Sequence, residues 1–212
     1  MQITWYGHSC FSVKNGKVSI VTDPHDGKTM GLKTPDVSAD IVLMSHDHYD
    51  HNASDVISGN HEDYKFRNGE FSSHEIKFAG LPTYHDEVRG AKRGKNTMYL
   101  FSVDGISVCH CGDLGCIPSD DVMDSIKNVD ILMVPVGGFY TMGLEETLRF
   151  VNAVDPSVVV PMHYYVKGLT IDEISDVEPF LNAVKGRKTV NVGKTVEINE
   201  IPKEKECWVF DL

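Results

Sequence analysis

Ile41-Val42-Leu43-Met44-Ser45-His46-Asp47-His48-Tyr49-Asp50-His51 is the stretch around which this 212-residue sequence organises itself. Four consecutive apolar residues read as a strand buried on both faces. After Ser45, the six positions 46–51 carry three histidines and two aspartates. Imidazole and carboxylate at such close spacing are the donors that zinc and similar divalent ions take. A lone His-x-His would be a weak signal. The full His-x-His-x-Asp-His pattern directly after an apolar strand is a strong one.

Outward from this stretch the chain alternates strands with polar turns. Upstream, Ile3 and Trp5, then Cys10, Phe11 and Val13, are spaced for half-buried strands. Asn15-Gly16 predicts a hairpin turn, and residues 18–21 a third strand ended by Asp23-Pro24. Residues 25–40 read as irregular surface. Downstream, one or two helical turns are expected at 52–57, short exposed strands within 59–75, and a strand at 75–79 leading to His85. The run Arg89-Gly90-Ala91-Lys92-Arg93-Gly94-Lys95 reads as a flexible basic loop, solvated or facing an anionic substrate. Residues 97–103 and 106–111 form a hairpin around Asp104-Gly105. Helices are expected from Pro118-Ser119-Asp120, over Leu144, Leu148 and Val151 up to Asp155-Pro156, and near 172–184. Buried strands are expected at 131–134 and 158–160, and two or three short ones at 189–212. Without repeat or linker, residues 1–212 read as one domain of two packed sheets with helices outside. Function in such layers gathers at the carboxyl ends of strands.

Composition narrows the partners. A formal net charge of −11 disfavours holding nucleic acid by its phosphates. No apolar run approaches the ~20 residues that cross a bilayer. The first residues lack the basic and apolar regions of a signal peptide. The five cysteines, 10, 109, 111, 116 and 207, have no regular spacing and read as reduced thiols of a cytoplasmic protein. Cys109, Cys111 and Cys116 lack a fourth ligand for a zinc knuckle.

The His46–His51 pattern resembles the signature of the metallo-β-lactamase superfamily, and that resemblance extends over nearly the whole chain. Gly7-His8-Ser9-Cys10-Phe11, His110-Cys111-Gly112-Asp113, Pro135-Val136-Gly137-Gly138 with Thr141-Met142, and Pro161-Met162-His163-Tyr164 are similar to the small stand-alone branch that includes ascorbate-6-phosphate lactonase. The resemblance implies a four-layer αββα sandwich. It implies two divalent metal ions, zinc first, with manganese or iron admitted by the same donors. His46, His48 and His85 would hold one ion; Asp50, His51 and His163 the other; Asp113 would lie between them. Asp50 would be catalytic, standing beside a metal-bridging hydroxide and carrying its proton.

Around this set, Asp23 is expected to fix the tautomer of a ligand histidine. His8 is expected behind the ligands or against substrate. His110 alternates with two cysteines and reads as structural, with a supporting place behind the ligands as its other role. Tyr164 and Lys167 follow His163 and are candidate donors to an oxyanion or phosphate. His25, His61 and His74 are taken as surface residues. The function expected is a lactonase-like hydrolase of an ester, lactone or phosphoester in a small, anionic substrate. Its rivals are a phosphodiesterase acting on nucleic acid or phospholipid, and a metal-dependent binding protein without turnover. No membrane partner is expected, and a homo-oligomer is compatible with the sequence.

Overall fold

The computed structural model describes residues 1–212. In chain order the elements are β1 (Gln2–Gly7), β2 (Cys10–Lys14), β3 (Ser19–Thr22), β4 (Ile41–Met44), β5 (Glu62–Lys65), β6 (Gly69–Ser73), β7 (Ile76–Tyr84), β8 (Lys95–Val103) and β9 (Ile106–His110). Then follow α1 (Asp120–Ile126), β10 (Ile131–Pro135), α2 (Leu144–Val154), β11 (Val158–Met162), α3 (Glu178–Ala183), β12 (Lys188–Gly193), β13 (Thr195–Glu197) and β14 (Glu206–Phe210). Six strands form one sheet in the order β13-β1-β2-β3-β4-β5; eight form the other in the order β12-β14-β11-β10-β9-β8-β7-β6.

Alternation along the strands explains the sandwich. Phe11, Ile20, Ile41 and Leu43 enter the main core, whereas Cys10, Val21, Val42 and Met44 point the other way into a smaller cluster with Ala39 and Ile57. On that outer side only a 3-10 turn, Ser54–Val56, and the 25–40 loop flank the sheet, so this layer of the αββα sandwich is thin. In the eight-stranded sheet, β10 and β11 are buried at every residue, as parallel strands covered on both faces must be. Helix α2 turns Thr147, Phe150, Val151 and Val154 inward and stops at Asp155, which adopts a left-handed φ of 56° before Pro156.

Three local expectations differ from the structure. The last helix spans only Glu178–Ala183, with Pro179 in its first turn. Upstream, Ser175 N–H donates to Gly137 O and Ser175 O accepts from Tyr165 N–H, so this backbone is committed to neighbouring loops. The strand expected at 75–79 continues to Tyr84, paired with β8 from Phe78 onward. The 89–95 loop is pinned on Asp86, as described below.

Pairing directions fix where the ends lie. β1, β3 and β4 run parallel to one another within the first sheet, as do β7, β9, β10 and β11 within the second. His8 follows β1, Asp23 follows β3, His46 to His51 follow β4, His85 follows β7, Asp113 comes just after β9, and His163 follows β11. Strand carboxyl ends from both sheets therefore meet at one place. His163 N–H donates to His8 O across the sheets at 3.2 Å.

Candidate metal centre

Three turn residues, His8, Asp23 and His163, have φ of 53°, 42° and 50°. Left-handed backbone at non-glycine residues is strained, and it is kept where surrounding contacts over-determine it. Here it turns each side chain inward directly after its strand.

Asp23 lies at the back of the cluster with no exposure. Its Oδ1 accepts Ser45 N–H at 2.7 Å; its Oδ2 accepts the Ser45 hydroxyl at 2.6 Å and His51 Nδ1–H at 2.9 Å. Because the Ser45 proton goes to Asp23, Ser45 Oγ accepts from His46 Nδ1 at 2.9 Å. A neutral imidazole has one N–H. Asp23 thus sets two tautomers, His51 directly and His46 through Ser45, and leaves both Nε2 atoms bare and facing inward.

Those bare nitrogens converge on Asp113. Asp113 Oδ2 lies 3.2 Å from His85 Nε2, 3.2 Å from His163 Nε2 and 3.7 Å from His46 Nε2, and Oδ1 lies 3.2 Å from His51 Nε2. His46 Nε2 and His48 Nδ1 are 3.1 Å apart. Asp50 Oδ2 is 3.4 Å from His51 Nε2 and 3.1 Å from His8 Nε2. Donors about 2.0–2.1 Å from a tetrahedral zinc stand roughly 3.3 Å from one another. The donor atoms of His46, His48 and His85 lie within 4.8 Å of one another, as do those of His8, Asp50, His51 and His163. His51 Nε2 and Asp113 Oδ1 are buried without a hydrogen-bond partner, although burial normally demands one. A divalent cation is what satisfies inward lone pairs and carboxylates together, so this donor set fits such ions.

Charge follows the geometry. Burial alone would lower the His51 imidazole, but Asp113 and Asp50 on one side and Asp23 on the other raise it well above its ordinary value, so a proton and a divalent cation compete for its Nε2. Burial pushes His46 down to about 3 and His8 down to about 4. Burial opposes ionisation of Asp113, yet His163 and His51 hold it well below the carboxylate range.

The cluster floors a cleft of about 480 Å³ whose lining also includes Tyr49, Arg93, Tyr140, Thr170, Ile171 and Glu173. Sequence reasoning passed over most of these. It also passed over Asn96, which is buried, donates to Thr83 Oγ1 and Cys111 O, and accepts Asp113 N–H at 3.0 Å. Ser45 had one available signal, its place directly before the first ligand candidate. Asn96 and Tyr140 had none.

Other expected residues fall outside the cleft. Tyr164 is buried against Trp5, with ring centroids 5.4 Å apart, and burial raises its hydroxyl pKa, so it is a core residue. Lys167 is exposed on the following loop and does not line the cleft. His110 donates from Nε2 to Ser9 O and accepts Gly112 N–H, so it braces the turn that presents Asp113. His25 is buried rather than superficial, with Nε2 donating to Tyr6 O at 3.1 Å. Asp47 is exposed and accepts from Asn52, away from the cluster.

A family model described as the beta-lactamase superfamily domain matches residues 2–163. A UPF0173 metal-dependent hydrolase of Thermoplasma acidophilum is 29% identical over 228 aligned positions, covering 96% of this chain and 97% of its own. One from Archaeoglobus fulgidus is 27% identical, with both chains covered in full (100% each). A Thermotoga maritima crystal structure, described as a candidate zinc-dependent hydrolase of the metallo-β-lactamase superfamily, is 35% identical. It superposes with a TM-score of 0.81 over 99% of this chain and 97% of that one.

Proposed function

This chain belongs to the metallo-β-lactamase superfamily, and from that membership we propose that it is a metal-dependent hydrolase of an ester, lactone or phosphoester bond in a small, anionic substrate. The observation that carries the proposal is the pair of imidazole nitrogens that Asp23 turns inward, around Asp113, at the floor of an open cleft. In this assignment His46, His48 and His85 hold one divalent ion. Asp50, His51 and His163 hold a second, and Asp113 serves both. Zinc is the first choice; manganese and iron suit the same nitrogen and oxygen donors. Bound ions of this kind lower the pKa of a coordinated water towards ~7 and polarise a carbonyl or phosphoryl oxygen.

The chain's own residues have separate tasks. Asp50 takes the proton of the attacking water, and His8, donating from Nε2 to Asp50 Oδ2, orients that carboxylate. Asp23 and Ser45 hold the tautomers, and Asn96 holds the backbone of Asp113. A cleft of about 480 Å³ suits a small molecule, and a net charge of −11 opposes a polyanion. No helix is long and apolar enough to cross a membrane. Five free thiols accord with residence in the reducing cytoplasm, which we also propose.

Elemental analysis of purified protein, run beside a chelator-controlled screen of lactones, thioesters and phosphodiesters, tests this. Two transition-metal ions per chain and chelator-sensitive hydrolysis are expected. Protein that binds no transition metal, even after reconstitution, would sink the assignment.

A further inference from the structure

The loop after His85 delivers a side chain to the cleft by a built device. Asp86, 1% exposed, accepts the backbone N–H groups of Val88, Gly90, Lys92 and Arg93 at 2.7 to 2.9 Å. Gly94 N–H donates to Gly90 O, and Gly94 O accepts from His85 N–H, so the loop closes back on a proposed metal ligand. Gly90 has φ of 82°, and a Cβ there would lie 2.8 Å from Gly94 O.

Two cations on this loop are treated differently. Lys92 is paired with Glu87 on the exposed side. Arg93 has no carboxylate within ion-pair distance and is the only lysine or arginine lining the cleft. Its guanidinium carbon stands 5.5 Å from the Tyr140 ring centroid, and Nη2 reaches the Phe139 carbonyl at 3.5 Å. A guanidinium has five donors in a planar fork. Most remain unused, in a protein with 31 acidic side chains that could have paired them. Glu173 stands in the same lining, so an anion has one favourable place in the cleft wall, the Arg93 edge.

We propose that Arg93, backed by Tyr140 and positioned by the Asp86 loop, binds a second oxyanion of the substrate, a carboxylate or phosphate several bonds from the group attacked. Arg93 is thus a specificity-determining residue, and the assignment rests on the hydrolase reading above. The four backbone hydrogen bonds to Asp86 fix the loop that carries the fork.

The test is calorimetric binding to zinc-loaded protein, using propionate, succinate, glutarate, adipate and 3-phosphonopropionate. At least one doubly anionic probe should bind roughly ten- to hundredfold more tightly than propionate, the range for a hydrogen bond to a charged group. Arg93→Ala and Arg93→Gln should abolish that advantage without changing metal content or melting midpoint, and Arg93→Lys should retain part of it. A larger Arg93-dependent gain for 3-phosphonopropionate than for succinate would support the phosphate form of the assignment, and the reverse the carboxylate form. No gain for any doubly anionic probe in the wild type, or a gain that survives both neutral variants, would overturn it. Hydrolysis of 4-nitrophenyl acetate and of 4-nitrophenyl hemisuccinate separates the two levels. Hydrolysis of both esters at an Arg93-independent ratio, with no binding gain, refutes the anion subsite and leaves the hydrolase intact. An Arg93-dependent binding gain with neither ester hydrolysed nor any substrate found supports the subsite and removes the hydrolase.

Discussion

At the scale of single residues, Asp50 and Asp47 lie three positions apart and have opposite surroundings. Asp50 is buried beside His8 and His51, and although burial opposes its ionisation, those imidazoles hold its carboxyl below the ordinary range. Asp47 is exposed and bonded to Asn52. Asp50→Asn keeps the shape and removes both the charge and the proton acceptor. Turnover on a substrate found by the screen should fall by at least roughly 10²-fold, with weaker metal occupancy. Asp47→Asn should leave metal content intact and activity within a few-fold. Metal stoichiometry and turnover of the two variants decide between these roles; a fully active Asp50→Asn enzyme would reverse them. The contrast was legible in the sequence, because alternate side chains at a strand end point to opposite sides. The burial of His25 was not legible: its partner is the carbonyl of Tyr6, on β1.

At the scale of elements, the site depends on how closely the β4 and β9 ends approach. Gly112, with φ of 54°, sits at the meeting point. A Cβ there would lie 2.4 Å from Asn96 Oδ1 and 2.5 Å from Ser45 Cβ. Asn96 holds Asp113 N–H, and Ser45 relays Asp23 to His46. Gly112→Ala should therefore lower the melting midpoint and the metal content together, since the clash and the strained φ fall on the groups that aim the ligands. Gly16→Ala, in a turn where a Cβ meets nothing within 4 Å, should change neither. Thermal denaturation and elemental analysis of both variants check this. Normal metal content in Gly112→Ala would mean that the two strand ends are not coupled as described. Several element boundaries were readable from alternation and turn residues, such as Asp104-Gly105, both with positive φ. The helix expected at 172–184 failed because amphipathic spacing carries no information about which loops claim the backbone of Ser175.

At the scale of the whole molecule, the last third of the chain enters both sheets. β13 pairs with β1 in one, β12 and β14 complete the other, and Met1 N–H donates to Ile198 O. One core of 42 buried residues joins the sheets. We propose that residues 1–212 unfold as one unit. A single thermal transition is expected, raised by zinc and lowered by chelator, because a ligand that binds only the folded state stabilises it by mass action. Two separate transitions, or a midpoint indifferent to metal, would count against a metal centre built between the sheets. By itself the sequence determined the chemistry of the donors and the strand that presents them. Six positions after an apolar run share one strand end whatever the rest of the chain does. Only the tertiary structure decided which distant groups stand behind and around them: the relay from Asp23 through Ser45 to His46, Asn96 on Asp113, Arg93 and Tyr140 at the cleft. Their places follow from the packing of two sheets, with strand ends many residues apart brought within hydrogen-bond distance, and no local spacing records that approach.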